Sequence, residues 1–411
     1  MTTLQFARVG DLSDQIRGVT YSKEEASKVP LSGTKAILRA GNITETGISL
    51  TDLVYVPEDK VSARQLLQQG DVVVATSSGS LEVVGKAAQT VSDLDVGFGA
   101  FCKVLRPSKY IDARYFGHFF RTSSYRRTIS SLAAGANINN LKNAHLDNLV
   151  IPLPPIHEQR RIAEVLDRVD ALREKRRKSI TLLNDLAQSI FLDMFGDPVN
   201  NERGWPRVTV SEFVREFQSG KSLAQAPDDS ESDIRILKIS AVTSGTFSEA
   251  ESKPAPNGYN PPASHFVKNG DLLFSRANTS ELIGATAIVD TDPKNLLLPD
   301  KLWRFRWKDE TSIDPQFVHF LFRHPSFREQ IARASTGSSG SMKNISQAKV
   351  MGLHTALPPA ELQFLFGSRV SACRQQRSDA VRHLRDLDTL FASIQSRAFR
   401  GELWQDDVKD S

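Results

Sequence analysis

Residues 151–198 read IPLPPIHEQRRIAEVLDRVDALREKRRKSITLLNDLAQSIFLDMFGDP, and this stretch decides how the chain is organised. Pro154 and Pro155 suit the first turn of a helix, where a missing backbone N–H costs little. Gly196 and Pro198 are typical of a helix end. Between them, apolar residues recur at steps of three and four, which keeps them on one side of a helix; they are Ile162, Leu166, Val169, Leu172, Ile180, Leu183, Ile190 and Met194. The stretch predicts a helix of about 60 Å whose narrow apolar seam requires a partner of similar length.

The partner helix is found by comparing the chain with itself. At an offset of 204 residues, Leu357-Pro358-Pro359 repeats Leu153-Pro154-Pro155. A second seam follows in the same register, formed by Phe366, Val370, Cys373, Leu384, Leu387, Ile394 and Ala398. Gly401 follows this seam and is typical of a helix end. Two matching seams in one chain predict two long helices that pair antiparallel.

The repeat extends upstream of both helices. Residues 70–75 match 270–275, and residues 111–126 match 313–328. Matches that keep their order over so many segments indicate a duplicated unit. The predicted segments are a globular unit at 1–150, a long helix at 151–200, a second globular unit at 201–355, and a second long helix with a tail at 356–411.

The globular units read as mainly β. Short strands are predicted at Lys35 to Ala40, Asp71 to Thr76 and Leu302 to Arg306, separated by turns rich in Gly, Ser, Asn and Pro. Asp112 and Asp314 are each expected to cap a short helix. The predicted class is therefore α+β: two mainly β domains, two long antiparallel coiled-coil helices, and a pseudo-twofold internal repeat.

A basic run, residues 173–178 (REKRRK), interrupts the first seam near its middle. One interpretation is a solvated helix face with a polar layer that fixes the register of the two helices. The other is a docking surface for another subunit. The sequence leaves both interpretations open.

Composition narrows the class of protein. The 411 residues carry 52 basic and 48 acidic side chains, a net charge of +4, which excludes nucleic-acid binding by bulk charge alone but not by local basic faces. Cys102 and Cys373 are too few for a disulfide framework, which favours a reducing, cytoplasmic setting. Neither a signal peptide nor an apolar run of membrane-spanning length is recognisable.

No catalytic, metal or cofactor motif is recognisable in this chain. Gly220-Lys221-Ser222 resembles the end of a phosphate-binding loop, but Arg215 stands where the first Gly is needed. Residues 260–263 (NPPA) end in Ala, where an adenine methyltransferase needs an aromatic residue. The eight His residues do not pair with Cys or carboxylates at metal-ligand spacing. We therefore expect a chain without catalytic activity of its own.

Three stretches of each globular unit could contact DNA, because they combine short polar side chains with Arg and Lys. The first follows a strand and contains Thr76, Ser77, Ser78 and Ser80, matched by Arg276, Asn278 and Thr279. The second is a helix edge with Arg121, Arg126 and Arg127, matched by Arg323 and Arg328. The third precedes the long helix and contains Asn137, Asn139, Asn140 and Lys142, matched by Ser338, Ser339, Ser341, Lys343 and Asn344. For each residue the alternative is an ordinary exposed turn or helix face.

Within these stretches Arg276 and Asn278 are the strongest candidates for base contacts, since Arg suits guanine and Asn suits adenine. Residues 303–306 (WRFR) alternate as a strand does. Trp303 and Phe305 are expected to face the core, which leaves Arg304 and Arg306 together on the opposite face.

These features together resemble the DNA-specificity subunit of type I restriction-modification systems, over essentially the whole chain. Besides the repeat, the resemblance is carried by residues 151–155 (IPLPP), Glu158-Gln159, Ile162-Ala163, residues 195–198 (FGDP) and residues 398–403 (AFRGEL). It implies two target recognition domains, each reading one half of a split site on double-stranded DNA. It also implies that the helices set the spacing, that two adenine methyltransferase subunits dock and carry S-adenosylmethionine, and that ATP-driven endonuclease/translocase subunits can join.

One departure from the pattern concerns the second helix. Leu362 stands where the first repeat has Glu158, and only Gln363 matches Gln159. This difference leaves the equivalence of the two docking ends open. The rival to DNA reading is a coiled-coil scaffold that binds proteins only.

Overall fold

In a computed structural model, the chain forms two compact units. The structure describes residues 5–44, 47–80, 82–134, 140–223, 233–337 and 342–403. The first unit comprises Met1–Arg177 with Arg382–Ser411, and the second comprises Lys178–Val381. Each unit therefore combines one predicted globular segment with the adjoining halves of both long helices.

The first unit is built from small sheets and short helices that precede the first long helix. The strands are β1 Phe6–Arg8, β2 Ser13–Arg17, β3 Thr34–Leu38, β4 Ile43–Thr44, β5 Gly47–Ile48, β6 Val54–Pro57, β7 Val72–Ala75, β8 Ala87–Gln89, β9 Val96–Phe98, β10 Cys102–Pro107 and β11 Val150–Pro152. A four-stranded antiparallel sheet has the order β2-β10-β7-β8, a three-stranded sheet the order β6-β3-β9, and β1 pairs with β11. The helices are α1 Val9–Leu12, α2 Ala113–Phe119, α3 Ser123–Ala134, α4 Asn143–Asp147 and α5 Ile156–Phe195.

The second unit repeats this plan. The strands are β12 Arg207–Thr209, β13 Val214–Ser219, β14 Arg235–Leu237, β15 Ser252–Pro254, β16 Leu272–Ser275, β17 Ala277–Asn278, β18 Thr286–Ile288, β19 Leu296–Leu297, β20 Leu302–Trp307, β21 Lys343–Asn344 and β22 His354–Ala356. The sheets have the orders β13-β20-β16-β18 and β15-β14-β19, and β12 pairs with β22. The helices are α6 Ser240–Thr243, α7 Pro315–Arg323, α8 Pro325–Ala334, α9 Gln347–Met351 and α10 Ala360–Ala398.

The predicted repeat and the predicted α+β class are confirmed. The three predicted strands are present with boundaries that differ by at most two residues. The side chain of Asp112 accepts from the N–H groups of Arg114 and Tyr115 at the start of α2. Asp314 does the same at the start of α7, where it accepts from Gln316 and Phe317. Both caps act as expected from the sequence.

The long helices α5 and α10 contain 40 and 39 residues and end before Gly196 and Gly401, which have left-handed φ values of +72° and +74°. In the first unit, the beginning of α5 lies beside the end of α10, where Nε of Arg173 is 2.6 Å from Oδ1 of Asp388. In the second unit, the end of α5 lies beside the beginning of α10, and the rings of Phe195 and Phe366 are 5.4 Å apart. The two helices therefore run antiparallel.

The first seam differs from the prediction at one position. Leu172 was expected within it, but its side chain is 51 % exposed. A step of four from Val169 places Arg173 in the seam instead, where its guanidinium lies 4.5 Å from the ring centre of Phe391 and pairs with Asp170. Arg173 thus forms a polar layer within the seam, which agrees with the first interpretation of the basic run.

None of the helices within the described ranges carries an apolar stretch of the length needed to cross a bilayer.

A buried Gln fastens each long helix to its globular segment. Gln159 is 1 % exposed; its Oε1 accepts the N–H of Asp112 at 2.8 Å, and its Nε2 donates to the carbonyl of Pro154 at 2.8 Å. Gln363 makes the same two bonds, to Asp314 at 3.3 Å and Pro358 at 2.8 Å. The preceding position is less constrained: Leu362 packs against the core of the second unit, where the first unit has the half-buried Glu158.

Gln159→Leu is expected to lower the free energy of unfolding of the first unit by about 2–4 kcal/mol. The substitution preserves volume but leaves a partly buried N–H and a buried carbonyl without partners, at about 1–3 kcal/mol each. Urea unfolding followed by circular dichroism measures the change. Gln69→Leu, at an exposed Gln of the same unit, is the control and should shift stability by less than about 0.5 kcal/mol. Equal effects of the two variants would contradict this role of Gln159.

Candidate nucleic-acid interface

The first and third predicted stretches meet in both units. In the first unit Ser77 forms an antiparallel bridge with Asn140, and the N–H of Leu141 donates to the carbonyl of Thr76 at 2.8 Å. In the second unit β17 pairs with β21, so that Ala277 lies opposite Asn344 and Asn278 opposite Lys343. The N–H of Ile345 donates to the carbonyl of Arg276 at 3.0 Å. The two polar stretches therefore form one surface in each unit, which we call the loop cluster.

The second stretch anchors this cluster through one Arg in each unit. Arg126 on α3 donates to the carbonyls of Val84 at 3.1 Å and Glu82 at 3.3 Å, at the far end of the post-strand loop. Arg328 on α8 donates to the carbonyl of Glu281 at the equivalent place. Burial lowers the pKa of Arg328, whose guanidinium remains fully able to donate. Each Arg holds its loop in place, because its guanidinium donates hydrogen bonds to backbone carbonyls of that loop.

A Gly follows the anchored segment in both units. Gly85 and Gly284 both have a φ of +77°, which an L side chain rarely adopts. A Cβ on Gly85 would lie 2.0 Å from Cγ2 of Ile129, and one on Gly284 would lie 2.8 Å from Cγ2 of Ile331. The loop therefore turns directly against the helix that carries its anchoring Arg, in both units.

The remaining candidates of the first unit have different environments. Thr76 is 2 % exposed and its hydroxyl donates to the carbonyl of Phe101 at 3.1 Å, so we correct its assignment: it holds the loop and presents no side chain to DNA. Ser77 and Ser78 are half-buried at the surface and Ser80 is exposed. The last candidates with described positions, Asn140 and Lys142, are also exposed.

The basic helix edge of the first unit is divided between two kinds of Arg. Arg121 is engaged within the chain, since its Nη1 is 2.6 Å from Oδ2 of Asp170 and its guanidinium lies over the ring of Phe391. This contact lowers the pKa of Asp170 against the effect of burial. Arg127 is exposed and makes no hydrogen bond or ion pair within the described ranges. Arg127 is thus the member of this edge that is available for a phosphate.

In the second unit Arg276 and Asn278 lie within the loop cluster. Nε of Arg276 donates to the carbonyl of Asp300 at 2.9 Å, and its guanidinium lies over Trp303, which leaves it 31 % exposed. The Oδ1 of Asn278 accepts the N–H of Thr279 at 2.9 Å. Their assignment as base contacts remains a prediction.

Arg323 has a more restricted position than its sequence suggested. Its Nη1 is 3.3 Å from Nε2 of His319, whose Nδ1 is 3.0 Å from the hydroxyl of Thr286. Burial, reinforced by the neighbouring Arg323, lowers the pKa of His319 well below its usual range, so its neutral ring accepts from Arg323. Lys343 is half-buried and Asn344 exposed within β21. Asn137, Asn139, Ser338, Ser339 and Ser341 lie outside the described residues.

Residues that sequence analysis did not select also border the clusters. Phe101 precedes β10 and Lys301 precedes β20, and they are equivalent: the carbonyl of Phe101 accepts the N–H of Thr76 at 2.8 Å, and that of Lys301 accepts the N–H of Arg276 at 3.1 Å. Phe101 is 68 % exposed. Only the alignment of the two repeats could have identified Phe101 as a residue at the border of the loop cluster, because an isolated aromatic residue in a sequence is usually assigned to the core.

Comparison with known proteins places this arrangement in a family. Residues 1–182 match the type I restriction modification DNA specificity domain. The chain is 34 % identical to the type I restriction enzyme EcoKI specificity subunit of Escherichia coli K12, in an alignment that covers 97 % of this chain and 88 % of that one. This chain belongs to the type I restriction enzyme specificity subunits. The StySPI specificity subunit of Salmonella potsdam is 30 % identical with the same coverage.

Solved structures of such specificity subunits share the fold. The crystal structure of the type I restriction-modification S subunit from M. genitalium aligns with a TM-score of 0.57 and 14 % identity, over 97 % of both chains. A chain from a study of the assembly and conformational transition of the type I R-M system aligns with a TM-score of 0.58 and 17 % identity, over 98 % of this chain and 99 % of that one. The predictions of a specificity subunit that recognises DNA and is not itself catalytic are confirmed. Specificity subunits assemble with other subunits of the restriction-modification system.

Proposed function

We propose that this specificity subunit reads a bipartite site on double-stranded DNA, with one half-site for each unit. The observation that carries the proposal is the recurrence of the loop cluster, in which paired polar stretches are held by Arg126 in one unit and by Arg328 in the other. Short polar side chains at fixed positions can read base edges in the major groove. Exposed cations beside them, such as Arg127, can position the phosphate backbone.

The test is selection from randomised duplex DNA by the full chain together with its methyltransferase partner, at a stated salt concentration. We expect two short conserved sequences separated by a spacer of fixed length and free composition. Enrichment of one continuous sequence would contradict the bipartite proposal. No enrichment at all would favour the protein-only scaffold.

We further propose that two adenine methyltransferase subunits dock on the long helices, and that endonuclease/translocase subunits join them. The support is an exposed apolar residue at the same place in both helices. Leu186 of α5 is 44 % exposed and Leu390 of α10 is 47 % exposed, and they are equivalent at the offset of 204. Two equivalent apolar positions suit two copies of one partner. S-adenosylmethionine and ATP would bind to these partner subunits, not to this chain.

Leu186→Glu and Leu390→Glu are each expected to reduce the methyltransferase bound from two copies to one. A charge in the centre of an apolar contact should weaken that contact at least about tenfold. Native mass spectrometry of the titrated complex counts the copies. Val91→Glu changes a residue that is 87 % exposed outside the helices and serves as the control. Retention of two tightly bound copies in both helix variants would place the docking surface elsewhere.

A further inference from the structure

A cleft of about 920 Å³ opens in the first unit beside the loop cluster. Its lining includes Ser77, Ser78, Gly79 and Tyr21, together with Phe101, which is 68 % exposed. Clefts of this size accept small organic groups, and their few polar atoms set the orientation of the ligand. An exposed aromatic ring at such a cleft presents a flat face to a ligand.

The backbone that carries Phe101 is fixed. Its carbonyl accepts the N–H groups of Thr76 at 2.8 Å and Ser77 at 3.1 Å, together with the hydroxyl of Thr76 at 3.1 Å. The following residue, Cys102, begins β10 and is fully buried. The backbone of Phe101 is therefore already ordered when its ring contacts a ligand.

Stability of the fold does not account for this ring. An exposed Phe leaves most of its apolar surface in water and gains little from burial. The second unit has Lys301 at the equivalent position, with the same backbone hydrogen bond from Arg276. Since both units form the same sheet with either residue, the aromatic ring is free to serve binding.

The ligand that fits this chemistry is flat, apolar on its faces and polar at its edge. Phe101 can stack on such a face, as aromatic side chains do on nucleobases. Tyr21 lines the same cleft, and its hydroxyl makes no hydrogen bond within the described ranges. Ser78 adds a hydroxyl to the lining, whereas both polar atoms of the Asn42 side chain are engaged by Arg39 and Thr51. A nucleobase has this combination of faces and edge.

We propose that this cleft accepts one base of the first unit's half-site, unstacked from the duplex, with Phe101 against its face and the Tyr21 hydroxyl at its edge. The inference rests on the proposed function as a reader of a bipartite DNA site. Unstacking a base costs free energy, which stacking on a protein ring offsets. The second unit has Lys301 in place of Phe101 and reads its half-site without such a base.

The experiment measures binding of the full chain, with its methyltransferase partner, to the selected duplex in which each nucleotide is replaced in turn by an abasic residue. With the natural chain, an abasic residue in place of the unstacked base should lower affinity about tenfold or more, as abasic residues at other contacted bases of both half-sites also do. Phe101→Ala should lower the affinity for intact DNA by a similar factor. An abasic residue in place of the unstacked base should then cause no further loss of affinity, because both changes remove the same contact. Phe101→Trp should restore the sensitivity. Tyr110→Ala, at an aromatic residue of the same unit that is 66 % exposed, should behave as the natural chain does.

Independent effects of Phe101→Ala and of every abasic position would overturn the proposal, as would coupling in both half-sites. A base extruded by the methyltransferase partner responds equally in the natural chain and in Phe101→Ala, so it cannot imitate the expected coupling. If the natural chain selects no bipartite site at all, the proposed function fails instead. The two failures are therefore distinguishable.

Discussion

Arg304→Met is expected to lower the free energy of unfolding of the second unit by about 3–5 kcal/mol, because it leaves a largely buried carboxylate without its partner. Arg304 is 1 % exposed, and its Nε lies 2.9 Å from Oδ2 of Asp271. Its Nη1 and Nη2 donate to the carbonyls of Ser264 and Phe266. One side chain thus joins β20 to a carboxylate before β16 and to the loop that follows Pro262.

The loss of unfolding free energy caused by Arg304→Met, called the deficit below, should depend on pH. Burial raises the pKa of Asp271 above its ordinary value of 3.8, and the charge of Arg304 opposes this rise. Without Arg304 the pKa in the folded state rises further. The folded state then binds more protons than the unfolded state, so stability falls as pH increases from about 3.8 through the folded pKa. The deficit is therefore smallest in acid and complete above the folded pKa.

Urea unfolding between about pH 3.5 and 7, followed by tryptophan fluorescence, to which Trp303 and Trp307 of β20 contribute, measures this dependence. Arg306→Met is the matched control, because Arg306 is half-buried, donates to Gln218 rather than to a carboxylate, and lowers the pKa of Asp271 less than Arg304 does. Its effect should stay below about 1 kcal/mol. Adding Asp271→Asn to Arg304→Met should recover part of the loss, since no charge then remains buried. A deficit that stays constant across this pH range would contradict the assignment of Asp271 as the stranded group.

Strand alternation was sufficient to predict which residues of β20 share a face. Trp303 and Phe305 are 4 % and 3 % exposed and lie in the core, as predicted. Alternation could not show that the opposite face is covered as well. Residues of β16 belong to two different cores, with Phe274 in one and Leu273 in the other. The second core encloses that face, so Arg304 is an internal structural residue.

The repeat predicted the equivalence of the polar stretches but not their contacts. Ser77 and Asn140 are 63 positions apart by number, and only the folded chain pairs them. Likewise, an Arg on a helix edge has the same sequence signature whether it binds a phosphate or a backbone carbonyl. Arg126 and Arg127 are adjacent, yet the first is anchored to the loop and the second is exposed. The sequence could select the helix edge as a candidate, whereas the division of roles within it is a tertiary property.

The different roles of Arg126 and Arg127 can be separated by substitution. Arg126→Ala is expected to reduce the preference for the first unit's half-site over a scrambled one by about tenfold to a hundredfold, because a well-placed pair of base contacts contributes about 1–3 kcal/mol of discrimination. The loss of two hydrogen bonds to the carbonyls of Val84 and Glu82 releases the loop that carries those contacts. Arg328→Ala should have the same effect on the other half-site only. Competition binding against duplexes with one scrambled half-site measures both.

Salt dependence separates an anchoring Arg from one that binds phosphate. A protein that loses one phosphate contact shows a slope of log K against log salt that is smaller by about 0.9. Arg126→Ala should leave this slope unchanged while discrimination falls, because its guanidinium is occupied by backbone carbonyls. Arg127→Ala should do the reverse, lowering the slope and weakening all sequences alike. If Arg126→Ala lowered the slope and left discrimination intact, Arg126 would be a phosphate contact and the loop cluster would need another anchor.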